Sequence, residues 1–303
     1  MANTLTTITA DMVQDEVLPA LKQALIPLNA FSFETSDTPK NVGDSVTVGV
    51  ASAKSAGTYS STFESGDSTV VGTDVTLAAP TFSSWYVNPN LEAASSAERF
   101  LAQGREAAYA VGKSVLQSVL AKFVAANIGD VADTDKKVIT SANYDADDQA
   151  DMLELLATKG VTEGISAIHT NAYITGLRKD AAIQDASAYG NAAMIQTGEV
   201  PPIFGVRQYY TNALPSAVTS ENTGVIFTGR QTAAVALAVP NQVEEGLEQA
   251  SGVRIEQITD PDTGLGLVWR TWYNSATGAY WGSVYVMHGE SFLQDAAVRV
   301  VSA

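Results

Sequence analysis

LEAASSAERFLAQGREAAYAVGKSVLQSVLAKFVAANIGD, residues 91–130, carries the longest helical periodicity in the chain. Ser95 followed three residues later by Glu98 has the form of a capping box, and Gly129 stands where a helix end takes a left-handed residue. No proline lies between them. Ala108, Val111, Val115, Val119 and Phe123 recur at three- and four-residue spacing, and Leu116, Leu120 and Val124 widen the stripe. Gln103, Glu106, Lys113 and Gln117 fall opposite, so one face is buried and the other wet. At about 1.5 Å per residue the helix would run roughly 50 Å. Gly104 and Gly112 each weaken it by about 1 kcal/mol relative to alanine, and a bend is expected near Gly104. Two architectures fit: a core helix of an ordinary α+β domain, or a rod from which a long loop and a compact lobe hang.

Upstream, residues 9–26, TADMVQDEVLPALKQALI, read as an amphipathic helix capped by Thr9. Met12, Val13, Val17, Leu21, Leu25 and Ile26 form its apolar face, and Pro19 splits or kinks it. As a lone arm it has nothing of its own to bury that face. Residues 38–89 change character. NVGDSVTVGVAS alternates around Val46, Val48 and Val50, a Gly/Ser-rich tip follows, and the return carries Val75, Leu77 and Phe82. This predicts a long two-stranded hairpin with a wet tip, of a kind marginal in isolation. It is either an elaboration of its own domain or a loop laid on a neighbouring subunit.

Downstream, KKVIT predicts a strand, DADDQADMLELLATKG a helix, and ISAIHTNAYITGLRKD a strand, turn and helix. Gly205 leads into a further strand, and TGVIFTGRQTAAVALAV predicts a strand followed by a short apolar helix. GVRIEQITD, GLGLVWRTWYN and AYWGSVYVMHG read as an antiparallel meander, and the tail as a last short strand.

The chain has 303 residues, 46% hydrophobic and 17% charged, with a net charge of −16. That acidity argues against a nucleic-acid-binding surface, which needs clustered cations to displace counterions. It is compatible with enclosing a nucleic acid without adhering to it. The absence of cysteine excludes a disulfide framework. The N-terminus lacks the features of a signal peptide, and no apolar run is long enough to span a membrane.

No catalytic constellation emerges. His169 and His288 are the only histidines and form no metal-spaced pair. Neither a nucleophile elbow nor a P-loop is present. Asp145, Asp147, Asp148 and Asp151 resemble the opening of a calcium loop. Ala150 replaces the glycine of its sixth position and Leu156 its closing glutamate, so helix-opening acids explain them better. The turn Asp260-Pro-Asp262-Thr-Gly264 could take a cation but is also ordinary turn sequence. Trp269, Trp272, Tyr273, Tyr280 and Trp281 suggest either ligand stacking or core and interface anchors, the commoner use of aromatics on strands.

The order of parts resembles the tailed-phage major capsid proteins of the Hong Kong 97 fold, with ISAIHTNAYITGLRKD, IFGVRQYYTNALP and TGVIFTGRQTAAVALAV carrying the likeness. The resemblance implies an α+β chain with residues 1–34 as N-arm and 35–88 as extended E-loop. Residues 89–140 with 252–303 would be the peripheral domain with its spine helix, and 141–251 the axial domain. It implies a structural protein, without catalytic, cofactor or metal residues, that self-assembles as pentamers and hexamers into an icosahedral shell enclosing double-stranded DNA. Such a protein is built in the host cytoplasm and ends in the virion capsid. The implied partners are a separate scaffolding protein, a portal and a decoration protein. Lys54 is the only lysine between Val42 and Trp85, and noncovalent locking is expected. Within that picture Met12, Val13, Val17 and Leu21 are candidate intersubunit contacts. Glu64 and Asp67 at the hairpin tip are candidates to pair with Arg99 or Arg105 of a neighbour. The alternatives are an encapsulin-like nanocompartment and, from another class, an enzyme or sugar-binding module built on the aromatic meander.

Overall fold

Thr9 starts the first helix, its Oγ1 accepting from the Met12 amide at 3.4 Å. The computed structural model describes residues 8–50, 71–88, 97–128, 134–180, 183, 200, 202–214, 222–241, 253–292 and 296–302. Helix α1 (Ala10–Glu16) passes at Val17 into α2 (Leu18–Leu25) and then a 3-10 turn over Ile26–Ala30. Pro19 sits in the first turn of α2, where its missing N–H removes no helical bond, so it divides the predicted helix in two.

The long helix, α3, is described over Ala97–Ala121, about 38 Å for 25 residues, and it ends earlier than the Gly129 stop its periodicity suggested. Ser95 and Gly129 lie outside the described residues. Beyond Ala121 the chain turns, and the Asn127 Nδ2 donates to the Lys122 carbonyl at 2.8 Å. Val111, Val115, Leu116, Val119, Leu120 and Phe123 are buried as the stripe requires, but Val124 is exposed because the helix has already ended. The glycines are packing positions within one continuous helix. An added Cβ at Gly104 would stand 2.7 Å from the buried Trp269 ring, and at Gly112 2.7 Å from Ala24 of α2.

That contact with α2 corrects the arm's expected role. Val13, Val17 and Leu21 are wholly buried in the core they share with α3 of the same chain. The premise that sent them to a neighbour, an apolar face with no cover at home, does not hold. Of the four, Met12 alone remains exposed.

A six-stranded sheet runs β1 (Ser32–Lys40), β9 (Ala233–Pro240), β12 (Ala279–Phe292), β11 (Gly266–Asn274), β10 (Val253–Thr259), and β4 (Thr81–Val87) also pairs with β12. The meander β10–β12 is antiparallel, as its alternation and turns predicted. The second sheet runs β5 (Lys136–Val138), β13 (Ala297–Ser302), β8 (Asn222–Thr228), β6 (Ser166–His169), β7 (Arg207–Tyr210). Helices α4 (Ala146–Thr158) and α5 (Asn171–Lys179) share with it a second core of Met152, Leu156, Tyr173, Leu177, Val225 and Phe227. The acids opening α4 have structural work. Asp145 and Asp148 form a reciprocal capping box, and Lys137 lies 2.5 Å from both Asp148 and Asp151.

The predicted apolar helix within TAAVALAV is instead β9, every residue of it buried. It lies between parallel β1 and antiparallel β12, so both faces are covered and no polar alternation marks it as a strand. The alternation is one of size. Val235 and Leu237 enter the main core, whereas Ala234, Ala236 and Ala238 face a small separate cluster.

The predicted hairpin over 38–89 is likewise subdivided. The antiparallel pair is β2 (Ser45–Val50) with β3 (Val71–Thr76), while the segments before and after it belong to β1 and β4 of the large sheet. The sheets also cross the boundaries drawn from the sequence. β9 lies within 141–251 yet pairs with β1 and β12, and β13 lies within 252–303 yet pairs with β8.

Candidate assembly surfaces

The root of the hairpin is seated on the subunit's own sheet. Val46, Val48, Val75 and Leu77 pack on Ala234, Ala236, Ala238 and Met287, a floor made flat by alanines. Gly289 completes it. An ideal Cβ there would lie 2.3 Å from the Thr76 carbonyl oxygen, so β3 crosses β12 at a distance only glycine permits. The Ala78 amide donates to the His288 carbonyl at 2.9 Å beside this crossing. The hairpin therefore leaves the body from a fixed root. Its tip, with Glu64, Asp67 and Lys54, lies outside the described residues.

The two candidate arginines are exposed on α3. Six residues apart, they are about 120° apart around the helix, so one acidic tip would not meet both in one plane. Arg105 lines a shallow depression with Ser83, Ser84, Trp85, Gln103 and Glu106, where α3 passes beneath β4.

The large sheet has two unlike faces. On the α3 side Trp85, Phe100 and Trp269 form a ring cluster with centroids 5.1–6.0 Å apart. On the far side the register places Tyr86, Trp281 and Trp272 in one row. Tyr86 and Trp281 centroids are 5.0 Å apart, and the Trp281 and Trp272 rings stack at 5.8 Å and 14°. The Arg270 guanidinium lies over Trp272 at 5.3 Å. These rings pack on one another, which leaves less face for a stacked ligand than the sequence suggested. Phe82 and Tyr86, on β4, are 69% and 55% exposed, the marks of an uncovered surface at this end of the sheet.

The turn Asp260–Gly264 takes its cation from the chain itself. Lys22 Nζ of α2 lies 2.6 Å from Asp260 Oδ2, which also accepts from the Thr263 amide and hydroxyl. The Lys22 ammonium, with the Thr263 hydroxyl, holds the Asp260 carboxyl down at about 2. Thr35 Oγ1 of β1 donates to the Thr263 carbonyl at 2.7 Å, so the turn is tied both to α2 and to β1.

The histidines are structural. His169 is buried among Tyr144 and Phe227, with Nε2 2.6 Å from Gln208 Oε1, and Gln208 Nε2 donates to Gln149 Oε1 at 3.1 Å. Burial pushes its imidazole down to about 4, against the opposing hydrogen bond. Burial also lowers His288, against the Glu290 carboxylate. Among the described residues no three His, Asp or Glu side chains stand where they could hold a metal, and no helix there is long and apolar enough to cross a membrane.

No family model matches the chain, and no curated relative matches it. The fold does match solved structures. The capsid of Ralstonia phage GP4 aligns over 90% of this chain and 86% of its own at 13% identity, with a TM-score of 0.55. The capsid structure of cyanophage P-SCSP1u aligns over 92% and 88% at 13% identity, TM-score 0.52. A chain from Gordonia phage Cozz aligns over 92% and 86% at 14% identity, TM-score 0.53. This mixed helix-and-sheet architecture is thus one that phage capsid structures share, with nearly the whole chain taken up in the match.

Proposed function

We propose that this chain is the major capsid protein of a tailed double-stranded DNA bacteriophage, a structural subunit that self-assembles as pentamers and hexamers into an icosahedral shell. The observation that carries the proposal is the match in fold to phage capsid structures over about nine-tenths of both partners. A small domain sharing one motif would not align from end to end. The Hong Kong 97-type division supplies the finer reading. Residues 1–34 are the N-arm, and the hairpin rooted on β9 and Gly289 is the E-loop that reaches a neighbour. α3 is the spine of the peripheral domain, and the second sheet with α4 and α5 is the body of the axial domain.

The chemistry of such a protein resides in its contacts. Val13, Val17 and Leu21 fasten the arm to its own spine, and the candidates to meet other copies are the exposed Met12, Arg99 and Arg105 together with the hairpin tip. Each exposed charge pair contributes about 0–1 kcal/mol, repeated at every copy of the contact. The net charge of −16 favours enclosing DNA without adhering to it. A separate scaffolding protein and a portal complete the assembly.

Sedimentation velocity and negative-stain microscopy of the purified protein, alone and co-expressed with its genomic neighbours, test the proposal. Uniform closed particles are expected. A species that stays monomeric in both preparations would overturn it. Particles filled with protein cargo and empty of DNA would point to a nanocompartment instead.

A further inference from the structure

The edge strands of the two large sheets are not alike. β1 carries Glu34, Pro39 and Lys40, β10 carries Arg254 and Glu256, β5 carries Lys136 and Lys137, and β7 carries Arg207. Charges and proline at these edges hinder another strand from adding to them. β4, TFSSWYV, has neither. Among the described residues it pairs with β12 alone, over Thr81–Val87, which leaves its other edge with unpaired backbone donors and acceptors. Its outer face carries Phe82 and Tyr86, both largely exposed.

We propose that β4 pairs antiparallel with β4 of a second copy, across a two-fold axis through Ser84. The inference rests on the assembly reading above, which supplies the second copy. The arrangement of the strand is self-complementary. Phe82 and Tyr86 stand two residues on either side of Ser84 and on the same face, so in this register Phe82 of each copy lies opposite Tyr86 of the other. The row Trp272–Trp281–Tyr86 then continues across the axis into the other copy's aromatic pair. Ser83 and Ser84 place only small side chains at the centre, where the two backbones approach. The depression beside the edge carries Arg105 and Glu106, one charge of each sign, which a two-fold related copy matches with the opposite pair. The same pairing covers the two most exposed apolar side chains of the strand.

The chain has no cysteine, so an introduced one reports without background. Directly opposed residues in an antiparallel pair lie about 4.5–5.5 Å apart at Cα, inside the roughly 4.4–6.8 Å range a disulfide spans. Ser84→Cys should therefore cross-link to itself under mild oxidation, read as a dimer on a non-reducing gel of assembled particles. Phe82→Cys alone should not, since its symmetry mate is four residues out of register, whereas Phe82→Cys combined with Tyr86→Cys should. Val42→Cys, at an exposed position remote from β4 in sequence, sets the level of chance collision. The expected result is at least ten-fold more dimer for Ser84→Cys than for Val42→Cys or Phe82→Cys. Equal yields of Ser84→Cys and Val42→Cys, or cross-linking of Phe82→Cys as strong as that of Ser84→Cys, would overturn the pairing. Particles that form without the Ser84 cross-link sink the pairing and leave the shell standing. A cross-linked soluble dimer that never assembles sinks the shell and leaves the pairing.

Discussion

Gly289→Ala should loosen the hairpin from its root while the body of the subunit stays folded. The added methyl would sit 2.3 Å from the Thr76 carbonyl oxygen and 3.0 Å from Val75 Cγ1. Ordinary contact begins near 3.4 Å, so β3 has to retreat by about 1 Å, and a backbone carbonyl has no rotamer by which to step aside. Overpacking of this kind costs about 1–3 kcal/mol. Stretching the neighbouring Ala78 to His288 hydrogen bond adds about 1 kcal/mol. A total of about 2–4 kcal/mol corresponds to a fall in Tm of roughly 3–6 °C for a chain of this size. Differential scanning calorimetry gives that number, and hydrogen exchange locates it. The amides of β2 and β3 should exchange faster and those of α3 should not. Ser291→Ala, two residues along β12, is the control and should lie within about 0.5 kcal/mol of the parent. A Gly289→Ala protein that melts with the parent and protects its hairpin equally would refute the claim that this crossing needs glycine.

Two further outcomes follow from the arm and the tip. Asp260 has its folded value depressed from 3.8 to about 2. Its pairing with Lys22 therefore adds stability that is present above about pH 4 and disappears as the pH falls through about 2. Asp260→Asn should melt below the parent at pH 6, with the gap closing toward pH 2, and a gap equal at both pH values would contradict the pairing. Deleting residues 55–68, between the hairpin strands, should leave a subunit with a normal melting curve that assembles poorly. Wild-type particles from that deletion, counted by electron microscopy, would remove the tip from assembly.

The sequence was most legible where one face is wet. The period of Val111, Val115, Val119 and Phe123 set against Gln103, Glu106, Lys113 and Gln117 located α3, and period-two alternation located the hairpin and the meander. It failed where both faces are dry. TAAVALAV has no polar residue in its apolar run to mark a period, and its alanines favour helix on propensity alone. The usable signal was size, since the alternation of Val235 and Leu237 with Ala234, Ala236 and Ala238 follows the two surfaces β9 meets. The arm failed for a different reason. Its apolar face was visible, but the partner, α3 at Gly112, lies some ninety residues away in sequence, and a glycine there read as a weak point in a helix and not as a seat for Ala24. Likewise, nothing local in DPDTG announces that Lys22 supplies its cation.

Cryo-electron microscopy of the assembled protein tests the central claim most directly. The account predicts a closed shell of five- and six-membered capsomers, with α3 and the six-stranded sheet resolved in every subunit and the hairpin reaching from its β9 and Gly289 root onto a neighbour. A small soluble oligomer that never closes, even beside the products of neighbouring genes, would contradict it.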